Sequence, residues 1–257
     1  MKPKAESRLS CECFISPDYA ALHPGYSLQQ AGVFVVGGVI VGSHAFAMYG
    51  NMLGVRWRSE TTRTQDVDIA SDRHVLIGLT DKKVELRQAL VKSELGFIEV
   101  PALDRKAPST RFHIRGQQLS VDLLTPLLGK PSSKPIHIST LNAYAEPVRF
   151  LDYLLDDVQP AVMVVKAGIL VNVPTPARYA FHKLVISQRR IAAMQTKATK
   201  DINQAEQLVT VLLKDRVGDL HQAWEAALKQ PKKFQQQLAM GVKKLSGEVQ
   251  KRIKRIF

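Results

Sequence analysis

Cysteine, aromatic residues, unbroken apolar runs and acidic charge are all scarce in this chain. Only two cysteines occur among its 257 residues, Cys11 and Cys13. With no second pair, four zinc ligands at finger spacing cannot be assembled. Cysteines one residue apart do not comfortably bridge each other, which points to a reduced, cytoplasmic protein. Aromatics make up 7% of the chain, and no stretch is rich enough in them to suggest base stacking. The longest membrane-like candidate, Ala31 to Tyr49, is interrupted by Gly32, Gly37, Gly38, Gly42, Ser43 and His44. Valine with paired glycines favours a buried strand and a turn over a membrane span. Lys and Arg near the start are not followed by an apolar segment, so no signal peptide is expected there. Acids are outnumbered, 23 against 36 Lys and Arg, leaving a net charge of +13. That excess suggests a polyanionic partner such as nucleic acid or nucleotide; the bland alternative is a solvated basic face.

Against that background, residues 33–70 stand out. An apolar run, Val33 to Val41, breaks at Gly42-Ser43, and the stretch closes on Asp66-Val67-Asp68. In a strand, residues i and i+2 share a face, so the two aspartates project side by side while Val67 and Ile69 turn to a core. Two carboxylates about 4 Å apart repel by about 4 kcal/mol at an effective dielectric near 20. A hard divalent cation with oxygen ligands is the natural partner. Arg111 to Pro126 reads as two strands around Gly116. In the second, Leu119, Val121 and Leu123 share one face and Asp122 takes the other.

A Gly-Ser turn, a DxD strand and a lone aspartate on a later strand are the working parts of the nucleotidyltransferase fold. The chain resembles that DNA polymerase beta-like superfamily. Most of all it is similar to stand-alone bacterial members with a GG-x-x-x-G-[ST]-H-A-[FY] segment followed by T-x-D-[IV]-D. Here these are Gly37, Gly38, Gly42, Ser43, His44, Ala45 and Phe46, then Thr64, Asp66, Val67 and Asp68. The likeness continues through Asp122 to VPTPARYAFHKL, Val173 to Leu184.

The resemblance implies an α+β fold: a palm of mixed β-sheet flanked by helices, followed by a C-terminal helical region. Residues 1–27 read as an irregular lead-in, 28–173 as the palm and 174–257 as a basic helical domain. The implied activity is Mg²⁺-dependent transfer of a nucleoside monophosphate from a nucleoside triphosphate to a hydroxyl. Asp66, Asp68 and Asp122 are the implied catalytic residues and ligands for two Mg²⁺ ions. Gly42, Ser43 and Lys183 are the implied triphosphate contacts, with Arg190 and Asp201 as second choices. RNA, tRNA included, is the favoured acceptor and a protein side chain the other; no membrane is involved. Two rivals are a catalytically inactive nucleic-acid binder on the same palm and a toxin–antitoxin or defence module.

Other expectations come from the residues in order. Val33–Val36 reads as the first core strand, and His44–Leu53 as the helix whose N-terminal N–H groups suit phosphate. Residues 44–65 make a longer connection between Ser43 and Asp66 than the pattern usually has. Arg56, Arg58 and Arg63 could reach substrate from it. Residues 72–95 read as one or two covering helices, and Ala161–Val165 with Gly168–Val173 as a hairpin around Lys166-Ala167. From Pro176 the composition becomes helical. His44 and His182 lack ligand-spaced partners and read as packed, hydrogen-bonded histidines. Residues 229–257 carry nine Lys and Arg against one acid, a pattern that can track a phosphate backbone or simply be solvated.

Overall fold

The structure is a computed structural model describing residues 24–58, 66–72, 83–93, 95–102, 104, 106–164 and 168–257. Cys11, Cys13, Arg63, Thr64, the Lys166-Ala167 turn and much of the 72–95 segment lie outside the described residues.

A short helix, α1 (Pro24–Gln30), leads to strand β1 (Val39–Val41) and helix α2 (Gly42–Leu53). Strand β2 (Asp66–Ala70), helix α3 (Leu86–Val91), and strands β3 (Phe97–Glu99), β4 (Arg111–Ile114) and β5 (Ser120–Pro126) follow. Strands β6 (Ile136–Ile138) and β7 (Ala143–Val148) complete a seven-stranded sheet. Its central strand, β5, runs parallel to β2 and β7 and antiparallel to β4, so the sheet is mixed. Helix α4 (Leu151–Leu155) then precedes a separate ribbon of β8 (Val158–Met163) and β9 (Ile169–Pro174). The rest is helical: α5 (Pro176–Ser187), α6 (Gln195–Asp215), α7 (Val217–Leu228), α8 (Lys232–Val242) and α9 (Gly247–Ile256). The architecture is α+β, a mixed sheet flanked by helices with a helical C-terminal region. Among the described residues no helix is long and apolar enough to cross a membrane.

The alternation in β2 and β5 explains the sheet's core. Val67, Ile69, Val121 and Leu123 are buried, while Asp66, Asp68 and Asp122 between them are partly exposed on the other face. Residues 33–36 differ from the strand expected of them. They curl through successive turns in which Val33 N–H bonds the Leu28 carbonyl, and Gly38 N–H bonds the Val33 carbonyl, at 3.0 and 2.9 Å. Gly32 and Gly37 supply positive φ angles of 79° and 88° that break an extended run. Val33, Phe34 and Val36 are still buried while Val35 is 67% exposed, so the apolar run reported burial for three of its four residues and backbone shape wrongly.

Helix α5 is the hub of the helical region. Ten of its 12 residues are buried, Pro176 and Ala177 at one end and Ser187 at the other. Helices α6, α7 and α8 all pack against it. The α8 approach is close enough that a Cβ on Gly241 would lie 2.6 Å from the Leu184 carbonyl oxygen. Tyr49 of α2 meets Tyr179 of α5 edge-on at 5.2 Å, and its hydroxyl donates to the Pro174 carbonyl at 2.7 Å. These contacts dock α5 beside the start of α2, and with it beside the acidic face of the sheet.

Candidate functional site

The strand register sets the site. Val41, Asp68, Asp122 and Arg111 form one row across β1, β2, β5 and β4. Asp66 lies in the next row, opposite Ser120. Cross-strand neighbours on one face are within direct reach, so two aspartates more than fifty residues apart in sequence become adjacent.

Asp68 sits against the first turn of α2. Gly42 opens that helix with φ +65°, and a Cβ there would lie 2.1 Å from the Asp68 carboxylate. Only glycine allows this approach. The positive end of the α2 dipole therefore faces Asp68. Even so, the Asp68 carboxyl is pushed up to about 6, first by burial, then by the Asp122 and Asp66 charges, with Lys183 and Arg111 opposing. Asp66 accepts a hydrogen bond from the Ser120 hydroxyl at 2.7 Å. Asp122 is gripped through both oxygens by the Arg111 guanidinium: Nη2 donates to Oδ2 at 2.5 Å, and Nε donates to Oδ1.

Across from this row stands α5. Lys183, buried, donates to Asp201 Oδ1 at 2.6 Å, while Arg190 Nε and Nη2 both reach Asp201 Oδ2 at 3.1 Å. One buried carboxylate thus holds two cations and leaves the trio with a net positive charge. Lys183 Nζ also lies 5.3 Å from the centre of the Tyr179 ring. The Tyr179 hydroxyl donates to the Gly42 carbonyl at 2.7 Å and lies 3.0 Å from Gln204 Oε1. Gln204 Nε2 in turn donates to the Ser43 hydroxyl at 3.4 Å. Burial, with Lys183 adjoining, holds the His182 imidazole down at about 3, so it is neutral at ordinary pH. Its buried Nε2 meets no hydrogen-bond partner among the described residues.

Between the acidic row and α5 lies an open cleft of about 570 Å³, within the range typical of small-molecule sites. Of the expected site residues, Gly42, Asp68, Asp122, Lys183 and Arg190 line it; Asp66 and Ser43 do not, each standing next in sequence or strand to one that does. Leu124, Leu154, Ile186 and Met194 make an apolar wall, and Arg149, Arg189 and Lys197 add positive charge. Arg56 and Arg58 do not line the cleft; the Arg58 N–H donates to Gln207 Oε1 at 2.9 Å.

The three aspartates share a face without closing into one cage. Among the described residues, no three His, Cys, Asp or Glu side chains converge as a metal-binding group. Asp66 and Asp68 nevertheless fit a hard cation as a pair, since Mg²⁺ takes one or two carboxylates and completes its shell with water and phosphate oxygens. Burial first, and then the neighbouring carboxylates, raise Asp68, and a bound cation would offset both.

Two contributors escaped the sequence reading. Arg111 was legible in principle, because counting outward equally from the Gly116-Gln117 turn places it opposite Asp122. Tyr179 precedes Lys183 by one helical turn, so the two share a face of α5. The joining of Asp201 to Lys183 needed tertiary packing of α6 on α5.

Acidic strands opposed to a basic helix across an open cleft, on an α+β scaffold, define the class of this protein. A family model described as Nucleotidyltransferase matches residues 26–229, and the chain belongs to that family. The chain is also similar to an antigenic nucleotidyltransferase-like protein from Paracoccidioides brasiliensis, known from a crystal structure. The two are 15% identical over 88% of this chain and 94% of the other, with a TM-score of 0.41. No functionally curated protein matches the chain.

Proposed function

We propose that the protein transfers a nucleoside monophosphate from a nucleoside triphosphate to a hydroxyl acceptor, with RNA the favoured acceptor. The observation that carries this reading is the cross-strand pair Asp68–Asp122 facing Lys183 over one cleft. Asp66 and Asp68 would hold Mg²⁺, which supplies charge neutralisation on the triphosphate and polarises the α-phosphorus. Lys183 and Arg190, oriented by Asp201, would take the β- and γ-phosphates and favour departure of pyrophosphate. The Gly42-Ser43 turn would let the triphosphate approach the backbone closely. Asp122 would orient the acceptor hydroxyl and take its proton. As that oxygen bonds to the α-phosphorus, the bond to the bridging oxygen of pyrophosphate breaks; positioning and charge stabilisation carry the step. The apolar wall of Leu124, Leu154, Ile186 and Met194 suits a base.

RNA as acceptor is supported by the basic surface of α8 and α9. Lys232 and Lys233 on α8, Lys251 and Lys254 on α9, and Lys243 and Lys244 between the two helices are all exposed. The division into a palm at 28–173 and a helical region from 174 is proposed on the change from sheet to helices at α5. Incubation with each α-labelled nucleoside triphosphate, Mg²⁺, total RNA and total protein tests the reading. Label should enter RNA, and less of it should do so as salt rises, because phosphate contacts release counterions. Label in a protein band would keep the transfer reading and replace the acceptor. No label in any fraction, with RNA still bound salt-sensitively, would make this palm a binding module without turnover.

A further inference from the structure

We propose that Arg111 is the resident cation of Asp122, so that the site takes one divalent ion, at Asp66 and Asp68, instead of two. The inference rests on the transfer reading above and fixes the metal count of that same site.

Three observations carry it. The Arg111–Asp122 contact is a fork in which both carboxylate oxygens are occupied, the geometry in which a guanidinium matches a carboxylate best. It is a registered contact: Arg111 and Asp122 are direct partners across β4 and β5. Arg111 is also pinned by its backbone. Val100 N–H donates to its carbonyl at 2.9 Å, and the Ser109 hydroxyl donates to the same carbonyl at 2.8 Å.

The remaining charges fit the same count. The hydrogen bonds and charge of Asp122, and the charges of Asp66 and Asp68, favour the charged guanidinium against the cost of its partial burial. Three carboxylates and one guanidinium leave two negative charges, which a single divalent ion neutralises. A second ion shared by Asp68 and Asp122 would have to displace the fork and then sit beside the freed guanidinium. This also accounts for the lack of a three-acid cluster among the described residues. In function, Arg111 would keep Asp122 aimed while leaving its outer lone pairs for an acceptor hydroxyl. That makes Arg111 a positioning residue.

Mn²⁺ is the probe. The full chain is titrated at pH 7.5 and bound ions are counted by equilibrium dialysis, with free Mn²⁺ read by electron paramagnetic resonance. The wild type should bind one Mn²⁺ per chain. Arg111→Gln should bind a second, with affinity at least tenfold tighter than any second-ion binding in the wild type. Arg111→Lys keeps the charge without the fork and should fall between the two. Adding Asp122→Asn to Arg111→Gln should return the count to one. Melting curves establish that the variants fold; Arg111 is half-exposed at the sheet surface, and Arg111→Lys serves if Arg111→Gln does not fold. Two ions on the wild type, or one on both wild type and Arg111→Gln, would overturn the inference and leave the transfer reading standing. Absence of Mn²⁺ binding in every variant would bring down the metal-dependent transfer reading, and this inference with it.

Discussion

Replacing Asp201 by alanine lowers the unfolding free energy by about 3–5 kcal/mol, the usual cost of stripping one partner from a buried ion pair. Asp201 is 3% exposed and Lys183 7%. Without the carboxylate, the Lys183 ammonium is left in a packed helix interface beside a neutral His182. Arg190, on the cleft rim with 30% of its side chain exposed, turns to water more readily than Lys183, which touches the cleft but is mostly packed. Urea titration of wild type and Asp201→Ala checks this. The double variant Asp201→Leu, Lys183→Met should recover most of the loss, because a buried pair replaced by apolar groups of similar volume is often neutral. Failure of that rescue would mean that Asp201 supports the fold through something other than Lys183.

The second large effect has the opposite sign. Asp68→Asn should stabilise the metal-free protein at pH 8. The Asp68 carboxyl titrates near 6 in the folded chain against 3.8 ordinarily. A group whose folded value is raised binds its proton more tightly when folded, so stability is greatest below about pH 4. It falls as the pH rises towards 6 and stays low above that. At about 1.4 kcal/mol per unit, the penalty at pH 8 is at most about 3 kcal/mol. For a chain of this size that is several degrees of melting temperature. The gain from Asp68→Asn should shrink at pH 5 and vanish near pH 3.5. Adding Mg²⁺ at pH 8 should stabilise the wild type and not the variant. A melting point for Asp68→Asn below that of the wild type at pH 8 would show that the carboxylate is not the strained group described here.

A residue kept at the cost of stability is what a functional site looks like, and this bears on what could be read from the sequence. The alternation of Asp66-Val67-Asp68 and of Val121-Asp122-Leu123 already assigned one face to acids and the other to core, and β2 and β5 follow it. Strand pairing then did the rest: parallel alignment of β2 with β5 puts Asp68 beside Asp122. Lys183 was readable as a candidate from its place in the HKL segment, but not as one partner of a buried trio. Its carboxylate comes from the next helix, and helix-to-helix pairing leaves no local period in sequence. The Val33–Val36 strand failed for a local reason: composition reports burial, whereas the left-handed backbone at Gly32 and Gly37 decides direction. Arg111 belongs to no motif, and its role follows only from strand register. A registered hairpin also says what stands opposite an acid, and here it is the group that answers the charge of Asp122.

The most direct test is a single-turnover measurement of pyrophosphate release from a nucleoside triphosphate with Mg²⁺ and RNA, comparing wild type with Asp68→Asn. Both proteins should be folded, the variant being the more stable at pH 8, so lost activity cannot be laid to unfolding. Release by the wild type should need Mg²⁺, and Asp68→Asn should be at least about 100-fold slower, on the order of what removing one transition-state charge contact costs. Equal rates for the two proteins would contradict the transfer reading.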